Sequence, residues 1–169
     1  MVATLQKRDD ATMQDLVTAL DKELRYIMHE IQEEKIILHV ESTREEAKCP
    51  YCGKVSDRIH SHYERRLQDL PISGKKVRIV LRNKKYFCRN RTCPHKTFAE
   101  SYAFYEPKAT KTKRLQEEIL RASLTQSSTS AAKYLRGSVA EVGKSTICGL
   151  LKKRRDDARK ERGTNSVYR

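Results

Sequence analysis

Two close cysteine pairs constrain this chain more than any other feature. The first is Cys49-Pro50-Tyr51-Cys52-Gly53 and the second is Cys88-Arg89-Asn90-Arg91-Thr92-Cys93. A tight turn aims both thiolates of a pair at one point. Two such turns complete a tetrahedron, the geometry of a closed structural zinc site. Gly53 suits the turn after the first pair because it takes positive φ at little cost. A redox Cys-x-x-Cys needs a strand-to-helix setting and no second pair. Disulfides need an oxidising compartment, which nothing in the chain signals. The expected ligands of one structural Zn²⁺ are therefore Cys49, Cys52, Cys88 and Cys93, with His95 an alternative to Cys93 as the fourth. Cys148 stands alone.

The hydrophobic fraction of the 169 residues is 37%, low for one large core. Small modules, one of them stapled by metal, account for that. No apolar run follows Lys7, Arg8, Asp9 and Asp10, so no signal peptide is expected. The longest aliphatic run is Ile36-Ile37-Leu38, far short of a membrane span. The net charge is +14, and it is unevenly spread: residues 1–48 carry −4, residues 49–110 carry +9 and residues 111–169 carry +9. The basic excess begins at the cysteine segment, and such a field favours a polyanion, with nucleic acid the usual one; double-stranded DNA is the expected partner.

Residues 1–11 read as disordered. Thr12 then reads as the N-cap of a short amphipathic helix. Residues 24–31 and 35–42 read as two strands around a polar turn, with His29 and His39 on the sheet surface. Residues 58–63 read as a strand leaving the first knuckle, with His60 and His62 as surface residues. Residues 65–70 and 77–87 read as a hairpin around Pro71-Ile72-Ser73-Gly74. Val77, Ile79 and Leu81 share one face of it; Arg78, Arg82 and Lys84 share the other and are candidates to follow a phosphate backbone. Thr97-Phe98-Ala99 is expected to pack the second knuckle, and residues 104–110 read as a linker.

Three helices follow. The first spans about 111 to 124, the second follows the Gln126–Ser130 loop and ends at Gly137, and the third begins near Gly143. The turn between the last two contains Gly, as in a helix-turn-helix. In that motif the first residues of the last helix read base edges, here Lys144, Ser145 and Thr146, with Lys152 and Lys153 further on. The expected fold class is α+β: a small β-rich zinc ribbon followed by a three-helix helix-turn-helix domain. The expected divisions are 1–23 for a tail and short helix, 24–106 for the ribbon domain, 107–155 for the helices and 156–169 for a charged tail.

Several stretches together resemble the N-terminal part of bacterial insertion-sequence transposases of the ISL-three family. The carriers are Cys49-Pro50-Tyr51-Cys52-Gly53, His60-Ser61-His62-Tyr63 and Arg65-Arg66-Leu67-Gln68-Asp69-Leu70-Pro71. Tyr86-Phe87-Cys88, Cys93-Pro94, Thr97-Phe98-Ala99-Glu100, Lys144-Ser145-Thr146 and Leu150-Leu151 continue the likeness. The resemblance spans about residues 24 to 155. It implies a zinc-binding domain and a helix-turn-helix that bind the terminal inverted repeats of an element, in the bacterial cytoplasm at the nucleoid. Two glycines depart from the pattern, Gly143 at the start of the third helix and Gly149 inside it. The family's DDE-type catalytic domain follows this region, whereas this chain ends at Arg169.

A non-enzyme is therefore expected, with no small-molecule substrate and with self-association left open. Asp156-Asp157 is the acidic pair nearest the C-terminus, and adjacent helical residues diverge by about 100°. They read as partners of Lys152, Lys153 and Lys160 at i,i+4 spacing. Three other readings stand beside this one: a transcriptional regulator or self-repressor, a zinc-ribbon protein-interaction module, and a transposase subunit whose catalytic core is on another chain.

Overall fold

The computed structural model describes residues 11–164; of the disorder expected over residues 1–11, residues 1–10 lie outside them and residue 11 is helical, and the last five residues of the expected tail also lie outside. The fold is α+β. Helix α1 occupies residues 11–18. It already includes residue 11, so Thr12 sits inside the helix and is not its N-cap. Val17 is the residue that α1 buries, at 0% exposure, while Leu16 points to solvent.

Seven strands follow: β1 Leu24–Ile31, β2 Lys35–Ser42, β3 Ala47–Lys48, β4 Val55–Ser56, β5 Ile59–Ile72, β6 Lys75–Phe87 and β7 Thr97–Ala99. The main sheet runs β1-β2-β6-β5, and β7 pairs with β6 beyond the end of β2. Strands β2 and β6 are parallel, and the other main-sheet pairs are antiparallel. Two hairpins are thus laid side by side. The expected strand 58–63 and the first arm of the expected hairpin are one 14-residue strand, β5. Its turn is made by Ser73 and Gly74, with φ of 50° and 75°. Two left-handed residues in a row form the tight connection whose twist matches the flanking strands.

Alternation fixes the faces. Val77, Ile79 and Leu81 of β6 are at most 3% exposed, as their spacing implies. They join Val40, Leu67, Val17, Leu24, Tyr102 and Tyr105 in the core under the sheet. Strand β1 lies at the edge, where unpaired backbone groups invite another strand. Gln14 of α1 covers part of that edge: its side-chain amide donates to the Leu24 carbonyl at 3.0 Å and accepts from the Tyr26 N–H at 2.8 Å.

Residues 104–110 are not a loose linker. Tyr105 is buried, Ala109 accepts from Arg65 at 3.0 Å, and the Gln68 N–H donates to the Thr110 carbonyl at 2.8 Å. Helix α2 Lys113–Ala122 then starts on Thr112, whose side chain caps the Leu115 N–H. Helix α3 Ser128–Ser138 starts on Ser127, which caps Ser130, and runs one residue past Gly137. Helix α4 Lys144–Thr164 is 21 residues long and passes through the segment expected to be a tail. The three helices share a core of Leu115, Ile119, Ala131, Ala132, Leu135, Ala140, Val142 and Ile147, and Leu70 of β5 packs on it. That contact joins the helical unit to the sheet.

Candidate metal centre and nucleic-acid interface

The two knuckles are hairpin ends brought face to face. Strands β3 and β4 are two-residue stubs, and the turn between them holds Cys49 and Cys52. The Cys49 N–H donates to the Lys54 carbonyl and the Gly53 N–H to the Cys49 carbonyl, both at 2.9 Å. Gly53 has φ 73°, a left-handed position. The second knuckle joins β6 to β7, with the Cys88 N–H donating to the Lys96 carbonyl at 2.8 Å and the Cys93 N–H to the Asn90 carbonyl at 3.2 Å. Pairing of β7 with β6 delivers the knuckle to this place, so Thr97-Phe98-Ala99 does pack it.

All four sulfurs lie within 4.8 Å of one another. Tetrahedral zinc with bonds near 2.3 Å needs sulfurs about 3.8 Å apart, and Cys52 Sγ and Cys88 Sγ are 3.5 Å apart. Cys49 and Cys93 are each 2% exposed. The thiols are unpaired by disulfides. Cys49, Cys52, Cys88 and Cys93 therefore fit one structural zinc ion, which supplies no chemistry beyond cross-linking the two knuckles. His95 is not in the cluster; its ring stacks on Tyr51. Cys148 is an exposed thiol on α4.

The thiols are unequal. The Lys54 backbone N–H, aided by the neighbouring thiols, draws Cys52 down to about 7. The Asn90 backbone N–H acts the same way on Cys88, but desolvation and the other sulfurs outweigh it and push that thiol up to about 12. Desolvation raises Cys93. A divalent cation is what makes four thiolates compatible in so small a space.

Beneath the cluster, Tyr86 and Phe98 stack with centroids 5.9 Å apart. A buried carboxylate ties this layer to the sheet. Glu100 is 5% exposed and accepts from the Ser42 hydroxyl at 2.6 Å, the Lys84 N–H at 2.9 Å, the Tyr102 hydroxyl at 3.2 Å and the Tyr86 hydroxyl at 3.4 Å. Burial, followed by Glu100, pushes Tyr86 up to about 12.

The hairpin cations are placed less uniformly than alternation implies. Arg82 stays 62% exposed, 3.8 Å from Glu41, which also pairs with Arg25. Arg78 lies 3.8 Å from Glu141 in the α3–α4 turn. Lys84 is turned away: its ammonium donates to the Arg44 carbonyl at 2.5 Å. At the start of α4, Lys144, Ser145 and Thr146 are all exposed around the buried Ile147. Lys152 is exposed, whereas Lys153 pairs with Glu106 beside the α2–α4 groove. Asp157 lines that same groove.

Sequence reasoning passes over Gln68, Asp69, Glu100 and the Tyr51–His95 pair. One signal was available for the acids: residues 49–110 hold five acidic residues among fourteen basic ones. Two of those five, Asp69 and Glu100, are buried with partners.

Residues 45–94 match the family model described as the zinc-finger of transposase IS204/IS1001/IS1096/IS1165. The metal region is a zinc ribbon of that transposase type. The match contains all four thiols and covers under a third of the chain, leaving the three helices outside it. No curated protein and no solved structure matches the chain. Among the described residues, no helix is long and apolar enough to cross a membrane.

Proposed function

We propose that this chain is the DNA-binding part of a transposase, in which the zinc ribbon and a helix-turn-helix formed by α3 and α4 recognise the ends of the element. The observation that carries the reading is the start of α4. Ile147 anchors it in the helical core, and Lys144, Ser145 and Thr146 are left exposed on its first turn. In a helix-turn-helix those positions meet base edges in the major groove. Ser145, Gly149 and Lys152 continue on the outward side, all exposed. The transposase-type ribbon and the net charge of +14 support the same reading. Arg78 and Arg82 contact phosphates, positioning the duplex without reading it. Strand cutting is not part of this role. Asp156 and Asp157 are neighbours on one helix, and two-metal chemistry needs carboxylates converging from separate elements.

The test starts with selection of a preferred site from a random duplex pool by the zinc-loaded protein. Lys144→Ala and Thr146→Ala are then titrated against that site and against unrelated duplex. Each is expected to cost about 1–3 kcal/mol on the site and much less on unrelated DNA. Equal losses on both would mean that α4 touches only backbone. A selected site lying in a promoter rather than at an element end would favour the regulator reading. Unchanged affinity on every duplex would favour the protein-interaction module.

A further inference from the structure

The metal end of the sheet carries a surface that base reading by α4 leaves unused. Tyr51 stands between Cys49 and Cys52, and His95 stands two residues after Cys93. Their rings stack across the two knuckles with centroids 3.4 Å apart and planes 14° from parallel. Core aromatic pairs owe most of their energy to burial. This pair has little of it, because Tyr51 is 58% exposed and His95 is exposed as well. Each ring sits on a segment whose thiols belong to the metal site, so the zinc ion sets the position of the stack.

The surroundings are cationic. Within residues 51–60 and 88–96 the exposed charged side chains are Lys54, Arg58, Arg89, Arg91 and Lys96 against Asp57, and Asp57 is already paired with Arg89. A second ring is set into the same end: the Arg58 guanidinium lies 4.8 Å over Phe87, and His60 meets that ring edge-on at 4.7 Å.

We propose that the Tyr51–His95 pair is a stacking platform for an unpaired base of single-stranded DNA, with the neighbouring cations holding its phosphates. Inside a duplex the faces of each base are covered by the base pairs above and below, so away from a duplex end an exposed ring stack is extended only by an unpaired nucleotide. Exposed aromatic rings set among cations are how proteins hold single strands without reading sequence, because every base has a π-face. The ring pair and the cations occur together here on one zinc-fixed end. The inference rests on the DNA-binding reading and adds the strand state of the DNA that this end meets.

The experiment uses the full chain loaded with zinc. Fluorescence anisotropy follows a labelled single-stranded oligonucleotide of mixed sequence and, separately, the duplex of the same sequence. Tyr51→Ala is expected to weaken single-strand binding by about five- to a hundredfold, the loss of one base stack. Its duplex affinity stays within about twofold of the parent protein, since every base face inside the duplex is covered. Tyr51→Phe keeps the ring and is expected to restore single-strand binding. Because Tyr51 adjoins a ligand, zinc content is measured in each variant, and His95→Ala repeats the test from the other knuckle. Single-strand binding that is unaffected by loss of either ring overturns the proposal, and so does an equal loss on both DNAs with zinc retained. A parent protein that binds duplex but no single strands sinks this inference and leaves the DNA-binding reading standing. A parent protein that binds neither sinks that reading as well.

Discussion

Removing zinc is expected to unfold both knuckles while leaving the sheet and the three helices folded. The cluster around the metal holds only two large apolar side chains, Tyr86 and Phe98, packed with Cys49 and Cys93. Burying two such rings is worth about 1.5–3 kcal/mol each. Structural zinc contributes roughly 10–16 kcal/mol in small zinc peptides. Strands β3 and β4 have two residues each and cannot persist alone. The sheet core and the helical core are separate clusters with no thiol in either. Chelation, or Cys49→Ser, should therefore abolish amide protection in residues 47–58 and 88–97 and spare α2 to α4. The parent protein should carry one zinc per chain, and Cys148→Ser should keep it. Uptake should also depend on pH. With Cys88 raised to about 12 and Cys93 raised as well, both thiols carry protons at neutral pH that the metal must displace. Cys52, near 7, joins them as pH falls through that value. Zinc affinity should fall with acidity, more steeply below pH 7 than above it. A fully protected knuckle region in metal-free, reduced protein would remove the central claim about this site.

Cysteine spacing made the metal centre legible because ligation is a local property of two short turns. The same holds for β1 and β2, where period-two alternation set both strands at residues 24–31 and 35–42. Alternation says which face a side chain takes, not which strand lies next to it. The parallel pairing of β2 with β6 was therefore invisible, though it is what joins the two hairpins into one sheet. The strand read at residues 58–63 and the hairpin arm read at 65–70 part at Glu64, within the polar run Glu64-Arg65-Arg66. That run is continuous strand, since β5 lies against β6 through every one of those residues. Residues 104–110 looked like a linker because Pro107 and small or charged residues dominate them, yet Tyr105 within them and Tyr102 just before are core residues. Lys84 shares a parity with Arg78 and Arg82, but the nearby Arg44 carbonyl takes its ammonium elsewhere. The buried acids were the hardest to read, because their partners lie tens of residues away in sequence.

Asp69 supports the second large expected effect. It is 2% exposed and accepts from the Thr112 hydroxyl at 2.6 Å and from both Nε, at 2.8 Å, and Nη2 of Arg114. Thr112 is the N-cap of α2, so the same carboxylate orients the cap and grips the first turn of the helix. Its neighbour Gln68 adds three further bonds: its N–H to the Thr110 carbonyl, its carbonyl from the Thr112 N–H, and its side-chain oxygen from the Glu141 N–H at 3.2 Å. Gln68-Asp69 is thus the main polar clamp between the sheet and the helical unit. Removing one partner of a buried ion pair costs about 3–5 kcal/mol. Arg114 keeps half of its side chain in water, which lowers the expected cost of Asp69→Ala to about 2–3 kcal/mol. Asp69→Asn keeps one oxygen to accept from Thr112 and Arg114 Nε but loses the charge and the acceptor for Nη2, so it should cost less than Asp69→Ala, about half to three quarters as much. The weakened clamp should also split one unfolding transition into two, because only the Leu70 contact and the bonds of Gln68 and Arg78 are then left to couple the two cores. Chemical denaturation followed by far-ultraviolet circular dichroism and by tyrosine fluorescence distinguishes these outcomes. The tyrosines Tyr86, Tyr102 and Tyr105 are buried on the sheet side, so fluorescence reports that side while the helices dominate the dichroism. Coincident transitions in Asp69→Ala, or equal costs for the Ala and Asn variants, would show that apolar packing holds the helices to the sheet and that the carboxylate does not.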